Sequence, residues 1–471
     1  MKKLFLSIVL AYVSSFSTAQ GNQDLSKLEL PSVAPVSPEA ASLGKYGDLP
    51  VNLASGRINY SIPIYTIKEA GFELPVYLSY NHSGLLAEED PGLVGLGWTL
   101  HAGGMIVRQL RGKPDEGSLG YVAGNIGKDY VVPFIEHGFS NMSAEAREAH
   151  LNNFFRKASS NVMDSQPDKF VINAGTLSAN FYHNEDGDII FRPHKNYQIT
   201  KPTANSYRII DDNGITYDFA YPEETTSEPI TDNEQLAPPM IYNSAWALSK
   251  ISLPTSDQTI DFEYTQEDDY HKQGISKSYR ELIMSNGQVD SYSDFFAGHL
   301  ISSSCTNAQS VITSYMETTV AGKNQISKIT FPDGELHFDV RTAPAGSLNA
   351  TNSYLHSISL YDNFDNKIKS YEFTYDNVNS NFKLLTKVEV LGQNDTEDNA
   401  YELAYYGTPP SIINSDNQDV WGYYSTTLLN SNYNNTLLGR KVTNFNTTLL
   451  GALKRITYPT FRLANRNNYL K

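Results

Sequence analysis

Apolar and polar residues alternate with a period of two over much of the chain. In 57–65, Ile58, Tyr60, Ile62 and Ile64 share one face; in 72–80, Phe72, Leu74, Val76, Leu78 and Tyr80 do the same. That period sends successive side chains to opposite faces of a strand and buries one face. Ala70-Gly71 is placed to turn between the two strands. One segment follows a helical pattern instead. Ser143 is a good N-cap, and the helix formers of 144–151 follow it, running on to about Ala158 with Leu151, Phe154 and Phe155 as a modest apolar stripe. The stretch around it, about 125–165, reads as an insertion on a β framework. Residues 222–239, acidic and Pro-rich, read as a loop, and 265–320 are polar, Ser-rich and weakly periodic.

A heptapeptide pattern recurs five times: Leu248-Ser249-Lys250-Ile251-Ser252-Leu253-Pro254, then 326–332, 355–361, 385–391 and 453–459. Its first, fourth and sixth positions are apolar and its third is usually basic. A turn segment usually follows, such as Pro332-Asp333-Gly334 or 362–366, and then an aromatic returning strand: Phe262-Glu263-Tyr264, Phe338-Asp339-Val340, 371–375 or 401–405. Asp-Gly or Asn-Gly between alternating strands signals a hairpin, and it recurs at Asp186-Gly187 and Asn213-Gly214. The steps from 326 to 355 and from 355 to 385 are 29 and 30 residues. A lone hairpin cannot hide its aromatic face, so neighbouring units must stack or pair. An ordinary β-sandwich with accidental similarity is the plainer alternative.

Composition narrows the function. The chain of 471 residues has a net charge of −16 and a single cysteine. Nucleic-acid binding draws on clustered Lys and Arg, so a polyanion partner is excluded. Cys305 has no intramolecular disulfide partner and, with no His or acid close by, reads as a small hydrophobe. Lys2 and Lys3, the apolar run 4–16 and the small residues Ser17-Thr18-Ala19 read as a secretory signal peptide. Its removal takes the net charge to −18. No later stretch approaches the roughly 18 apolar residues of a membrane helix.

Candidate chemistry is sparse. The ten histidines include no His-Glu-x-x-His pair, and neither a Gly-x-Ser-x-Gly elbow nor a phosphate loop occurs. The Gly-rich run 92–97 reads as backbone that turns tightly before Trp98. Glu88-Glu89-Asp90 offers oxygen ligands to Ca²⁺ but reads more simply as a solvated acidic turn. Asp164, Asp168, Asp186 and Asp188 could supply a carboxylate pair for glycoside hydrolysis, and 31 tyrosines could stack on sugars. Acids in β-turns and tyrosines in cross-strand pairs are the commoner readings. No catalytic, cofactor-binding or metal-ligating residue is therefore assigned.

Several blocks resemble one family. These are 42–52 with Gly56 and Ile62-Pro63-Ile64, then 74–80, Gly95-Leu96-Gly97-Trp98-Thr99-Leu100, and 103–108 with Pro114-Asp115-Glu116. Further blocks are Gln166-Pro167-Asp168-Lys169-Phe170, Trp246-Ala247-Leu248-Ser249-Lys250-Ile251 and 418–424. Over roughly 40–460 the chain resembles the N-terminal region of secreted RHS/YD-repeat proteins of Bacteroidetes type. The Gly-Leu-Gly-Trp-Thr-Leu block is also similar to the start of toxin-complex and SpvB-like shells. The resemblance implies an all-β strip of hairpins that, in long members, curls into a hollow shell able to enclose a C-terminal toxin. This sequence departs from that plan: it has no Gly-x-x-x-Arg-Tyr-x-Tyr-Asp repeat, and after Tyr458-Pro459-Thr460 it reads Phe461-Arg462-Leu463 and stops at Lys471. It reads as a truncated or split member.

The expectations are as follows. The fold is all-β, with antiparallel hairpin repeats in extended or curled sheets and one small helical insertion near 143–158. A signal peptide (1–19) and a flexible leader (20–40) precede an N-terminal β domain (41–240) and a hairpin repeat region (241–471) that is incomplete at its C-terminus. The protein is secreted or held at the cell surface, non-enzymatic and without cofactor. It acts as a structural or interaction module, a shell segment of a toxin-delivery or cell-surface protein. A carbohydrate-binding or adhesive module and a β-rich hydrolase are the alternatives. The expected partner is another protein or a downstream RHS or toxin segment at the exposed C-terminal edge, or a surface glycan. Nucleic acid and an integral membrane span are not expected.

Overall fold

The computed structural model describes residues 51–459 except 53–56, 83, 87–88, 90, 160–161, 232–233, 236–238, 255, 267–269, 286–287, 290–305, 343–352, 378–381, 411–418, 420–421 and 426–444. The expected signal peptide and leader, Glu88, Asp90, Cys305 and Trp421 lie outside the described residues. Among the described residues antiparallel β-sheet dominates, in sheets of 20, three and two strands. The helices at Val132–His137 and Ala144–Ser159 form the expected insertion. Ser143 caps the longer helix, its Oγ accepting from Ala146 N at 3.3 Å.

The large sheet forks at the strand Met240–Ser252. One edge of that strand pairs with Thr216–Thr231. Its other edge divides: 245–247 pair with Gly104–Gln109, and 250–252 pair with Thr259–Gln266. The first arm runs on through Lys169–Ala174, Leu177–His183 and Ile189–Phe191. The second arm is the repeat: Asn324–Phe331, Gly334–Thr342, Ser353–Tyr361, Lys367–Asp376, Leu384–Leu391, Glu397–Tyr405 and Leu453–Thr457, each pairing with the next. The three-stranded sheet is Tyr60–Glu69, Phe72–Tyr80 and Trp98–His101. Its inward residues Ile62, Ile64, Leu74, Val76 and Leu78 share one core with Ile106, Phe170, Ile329, Ile358, Val388 and Leu453. Before Trp98, Gly95 takes φ +97°, and a Cβ there would lie 2.9 Å from Lys383 O.

All five copies of the heptapeptide pair with the preceding strand in one register. The fourth position lies opposite an apolar residue each time: Ile251 opposite Tyr217, Ile329 opposite Phe262, Ile358 opposite Phe338, Val388 opposite Phe373, and Ile456 opposite Leu403. The first position lies opposite Phe219, Tyr264, Val340, Tyr375 and Tyr405 in turn. Between the two, the register shifts by one residue, so Ser249, Ser327, His356, Thr386 and Lys454 are each an extra, bulged residue. The bulge explains the odd spacing of the pattern. In an unbroken strand, first and fourth positions face opposite ways; with one residue bulged, both turn inward. Leu248, Leu355 and Leu385 are fully buried, as are Ile251, Ile358 and Val388. Where the bulge interrupts the ladder, tyrosine hydroxyls supply the missing bond: Tyr264, Tyr375 and Tyr405 donate to the carbonyls of Leu248, Leu355 and Leu385 at 2.9, 2.8 and 2.6 Å.

Two expectations change. Part of 222–239 is strand, not loop: Thr216–Thr231 pairs on both sides with Thr225 and Ser227 buried. Pro222, which has no N–H to offer a ladder, sits between register shifts. The weakly periodic 265–320 contains the long strands Tyr270–Ser285 and Thr306–Ala321, paired with each other.

Candidate functional site: a buried charge cluster at the base of the helical insertion

The strand Gly104–Gln109 puts Ile106 and Arg108 on its buried face. Arg108 thus stands where the period calls for an apolar residue, with its side chain 1% exposed. The neighbouring strand Lys169–Ala174 places Phe170 opposite it and Asp168 just before. Arg108 Nε donates to Asp168 Oδ2 at 2.8 Å and Nη2 to the same oxygen at 2.5 Å, while Nη1 and Nη2 reach Glu116 at 2.7 and 2.6 Å. The guanidinium also lies over the rings of Phe170 and Tyr242, at 5.4 and 5.6 Å.

The carboxylates are tied to the backbone as well. Asp168 Oδ1 accepts from Arg111 N at 2.7 Å, and Asp168 N donates to Asp115 Oδ1 at 3.0 Å. Asp115 Oδ2 lies 3.0 Å from His183 Nδ1 at the end of the strand Leu177–His183. Asp164 Oδ1 accepts from Gln166 N at 3.2 Å, and Asp164 N donates to Leu119 O at 3.0 Å. Asp164 Oδ2 is buried without a hydrogen-bond partner. Asp115, Asp164 and Asp168, from both ends of the insertion, are therefore gathered with Arg108 into one buried polar knot against the first arm of the sheet, and the exposed Glu116 closes it from outside.

Burial sets the electrostatics, and Arg108 modifies it. Desolvation pushes the Asp164 carboxyl up to about 7, with Asp168 and Asp115 adding repulsion. Asp168 is also raised by burial, although Arg108 pulls it back. Partial desolvation opposes ionisation of Glu116, whose side chain is 64% exposed, but the hydrogen bonds and charge of Arg108 hold that carboxyl below its ordinary value. Chemically, the knot holds two chain segments together and keeps one carboxyl close to its titration point at neutral pH. Its buried groups bond to one another, apart from Asp164 Oδ2, and Glu116 binds Arg108 from the solvent side.

The sequence candidates divide. Asp164 and Asp168 meet in this cluster, whereas Asp186 and Asp188 lie in the turn 184–188, where Asp186 pairs with Lys128 at 3.0 Å. Glu89 Oε1 lies 3.4 Å from His82 Nδ1. Among the described residues no group of three or more His, Cys, Asp or Glu is placed to hold a metal ion. Trp98 and Trp246 are buried and offer no surface platform. A groove of about 640 Å³ opens beside Arg208, Asp218, Lys250 and Asp261, whose charges pair across adjacent strands. Arg108, Asp115, Glu116 and His183 were not foreseen as site residues. The available signal was an arginine in phase with Gly104 and Ile106.

Fold and cluster together define an all-β protein of register-matched antiparallel hairpins whose helical insertion is clasped at its base. Comparison with protein-family models gives no match, and comparison with curated proteins gives none. Among solved structures, the chain is similar to one in the Photorhabdus luminescens Tc holotoxin pore, with a TM-score of 0.35 and 12% sequence identity. The match covers 75% of this chain and 16% of that one. A likeness that loose fixes neither a common fold nor a common activity.

Proposed function

We propose that the chain is a secreted, non-enzymatic structural and interaction module of RHS-repeat type, working as a segment of a shell or of a cell-surface assembly. The observation that carries this reading is the repeat: five outgoing strands in one register, each relying on its neighbours to cover a face it cannot cover alone. Export rests on the basic, apolar and small-residue succession of 2–19. The charge cluster supports a holding role, because Arg108 spends its donors on Asp168 and Glu116.

The test is a screen of the purified protein against secreted polysaccharides, reading binding and release of new reducing ends. Neither is expected. Binding without turnover would favour an adhesive glycan module, and turnover would overturn the proposal.

A further inference from the structure

We propose that the buried polar knot is a pH-sensitive clasp: as pH rises through neutrality, the helical insertion lifts off the first arm of the sheet while the sheet itself stays folded. Two arrangements carry this. The first is how the insertion is built. It has an apolar cluster of its own, with Ile126, Phe154 and Met163 buried and Tyr130, Val131 and Ala158 packed against them. The main core takes Ile106 from the strand before the insertion and Phe170 from the strand after it, and no described residue between the two. Among the described residues, the side-chain ties from the insertion to the sheet are the knot and the exposed Lys128–Asp186 pair at 3.0 Å, and an exposed pair is worth little in water. Opening the insertion therefore takes no residue out of the main core, which is the condition for a local event rather than a global one.

The second arrangement is the Asp164 carboxyl. It is buried, and its Oδ2 has no hydrogen-bond partner. Asp115 and Asp168 repel it, and Tyr121 faces it together with Asp115 and Glu185. The basic groups serve other acids: Arg108 binds Asp168 and Glu116, His183 meets Asp115, and Lys201 faces Glu116 and Asp115. In the closed form burial pushes Asp164 up to about 7; in an open, solvated form it returns toward 3.8. Between those limits opening releases a proton, so each pH unit favours the open form by up to about tenfold, and above 7 the effect levels off. Asp168, also raised, adds to this slope. Glu116, held below its ordinary value, is ionised in both forms near neutrality, and Lys201, lowered by burial, acts in the opposite sense.

The test is hydrogen exchange of the full chain, read by mass spectrometry from pH 5 to 8.5, with each rate divided by the intrinsic rate at that pH. Protection across the helix Ala144–Ser159 should fall roughly tenfold or more between pH 5 and 7 and level off above it, while protection across Ser353–Tyr361 stays constant. Asp164→Asn keeps the shape of the side chain and cannot ionise, so it should lose most of the fall. His183→Gln should keep it. Level protection in the parent would overturn the proposal, as would a fall shared by Ser353–Tyr361. So would a fall of full size in Asp164→Asn, or its loss in His183→Gln. Circular dichroism checks that each variant folds; where one does not, the contrast between the two segments in the parent still decides.

Discussion

Tyr375 joins two strands through one atom: its hydroxyl donates to Leu355 O, and the side chain is so enclosed that its ionisation is pushed far above the ordinary tyrosine range. Tyr375→Phe keeps the ring and strands a carbonyl beside the bulge. It should cost about 1–2 kcal/mol, read as a lowered urea midpoint at unchanged slope. Asp164 works in the opposite sense, since ionisation costs the native state. Its folded pKa of about 7 lies above the ordinary value of 3.8, so between those limits the native chain keeps a proton that the unfolded chain releases. The contribution of Asp164 to stability is complete at the acid end, falls as pH rises through that window, and stays lost above it. Melting temperatures taken from pH 5 to 9 should therefore fall less with rising pH in Asp164→Asn than in the parent, and the variant should be the more stable above pH 7. A parent profile no steeper than the variant's would contradict the assignment.

At the scale of the element, the bulge fixes which face a strand shows. Deleting His356 would remove the extra residue and leave Leu355 and Ile358 two positions apart, on one face of an unbroken strand. The deletion should therefore keep a cooperative unfolding transition, read as a single thermal melt, and His356→Ala should stay within about 0.5 kcal/mol of the parent; a broad, non-cooperative melt of the deletion would contradict the bulge assignment. The hairpins were legible because period two is a local property, and the turns at Ala70-Gly71, Asp186-Gly187 and Asn213-Gly214 fall where their residues pointed. The bulge was visible only as an unexplained spacing of three between the first and fourth positions. Deciding what that spacing meant required the partner strand. The 222–231 strand was hidden by Pro222 and its acidic neighbours, because local propensity says nothing of two flanking strands that supply pairing. The charge cluster was hidden for a related reason: Arg108, Asp115, Asp164, Asp168 and His183 lie up to 75 positions apart in sequence and meet only once the insertion is closed.

The whole molecule depends on contacts that join its sequence extremes. Tyr371 Oη donates to Ile64 O at 2.5 Å, Leu453 N donates to Tyr80 Oη at 2.7 Å, and Trp98 Nε1 donates to Tyr405 Oη at 2.9 Å. Between these bonds the apolar face of the three-stranded sheet covers Ile329, Ile358, Val388 and Leu453 in the shared core. A repeat sheet stripped of that cover would expose a continuous apolar layer and leave the Tyr371 hydroxyl and the Leu453 N–H without these partners. The repeats therefore should not behave as an independent unit. Expressed alone, 241–471 should bind a hydrophobic dye strongly, give a broad and non-cooperative melt, and regain a sharp transition when 51–101 is supplied as a separate polypeptide. Each repeat gains its register from the strand before it, but the layer as a whole gains its inner face from the N-terminal hairpin. Cooperative unfolding of the 241–471 fragment alone, with little dye binding, would mean that the repeat strands stabilise one another without it.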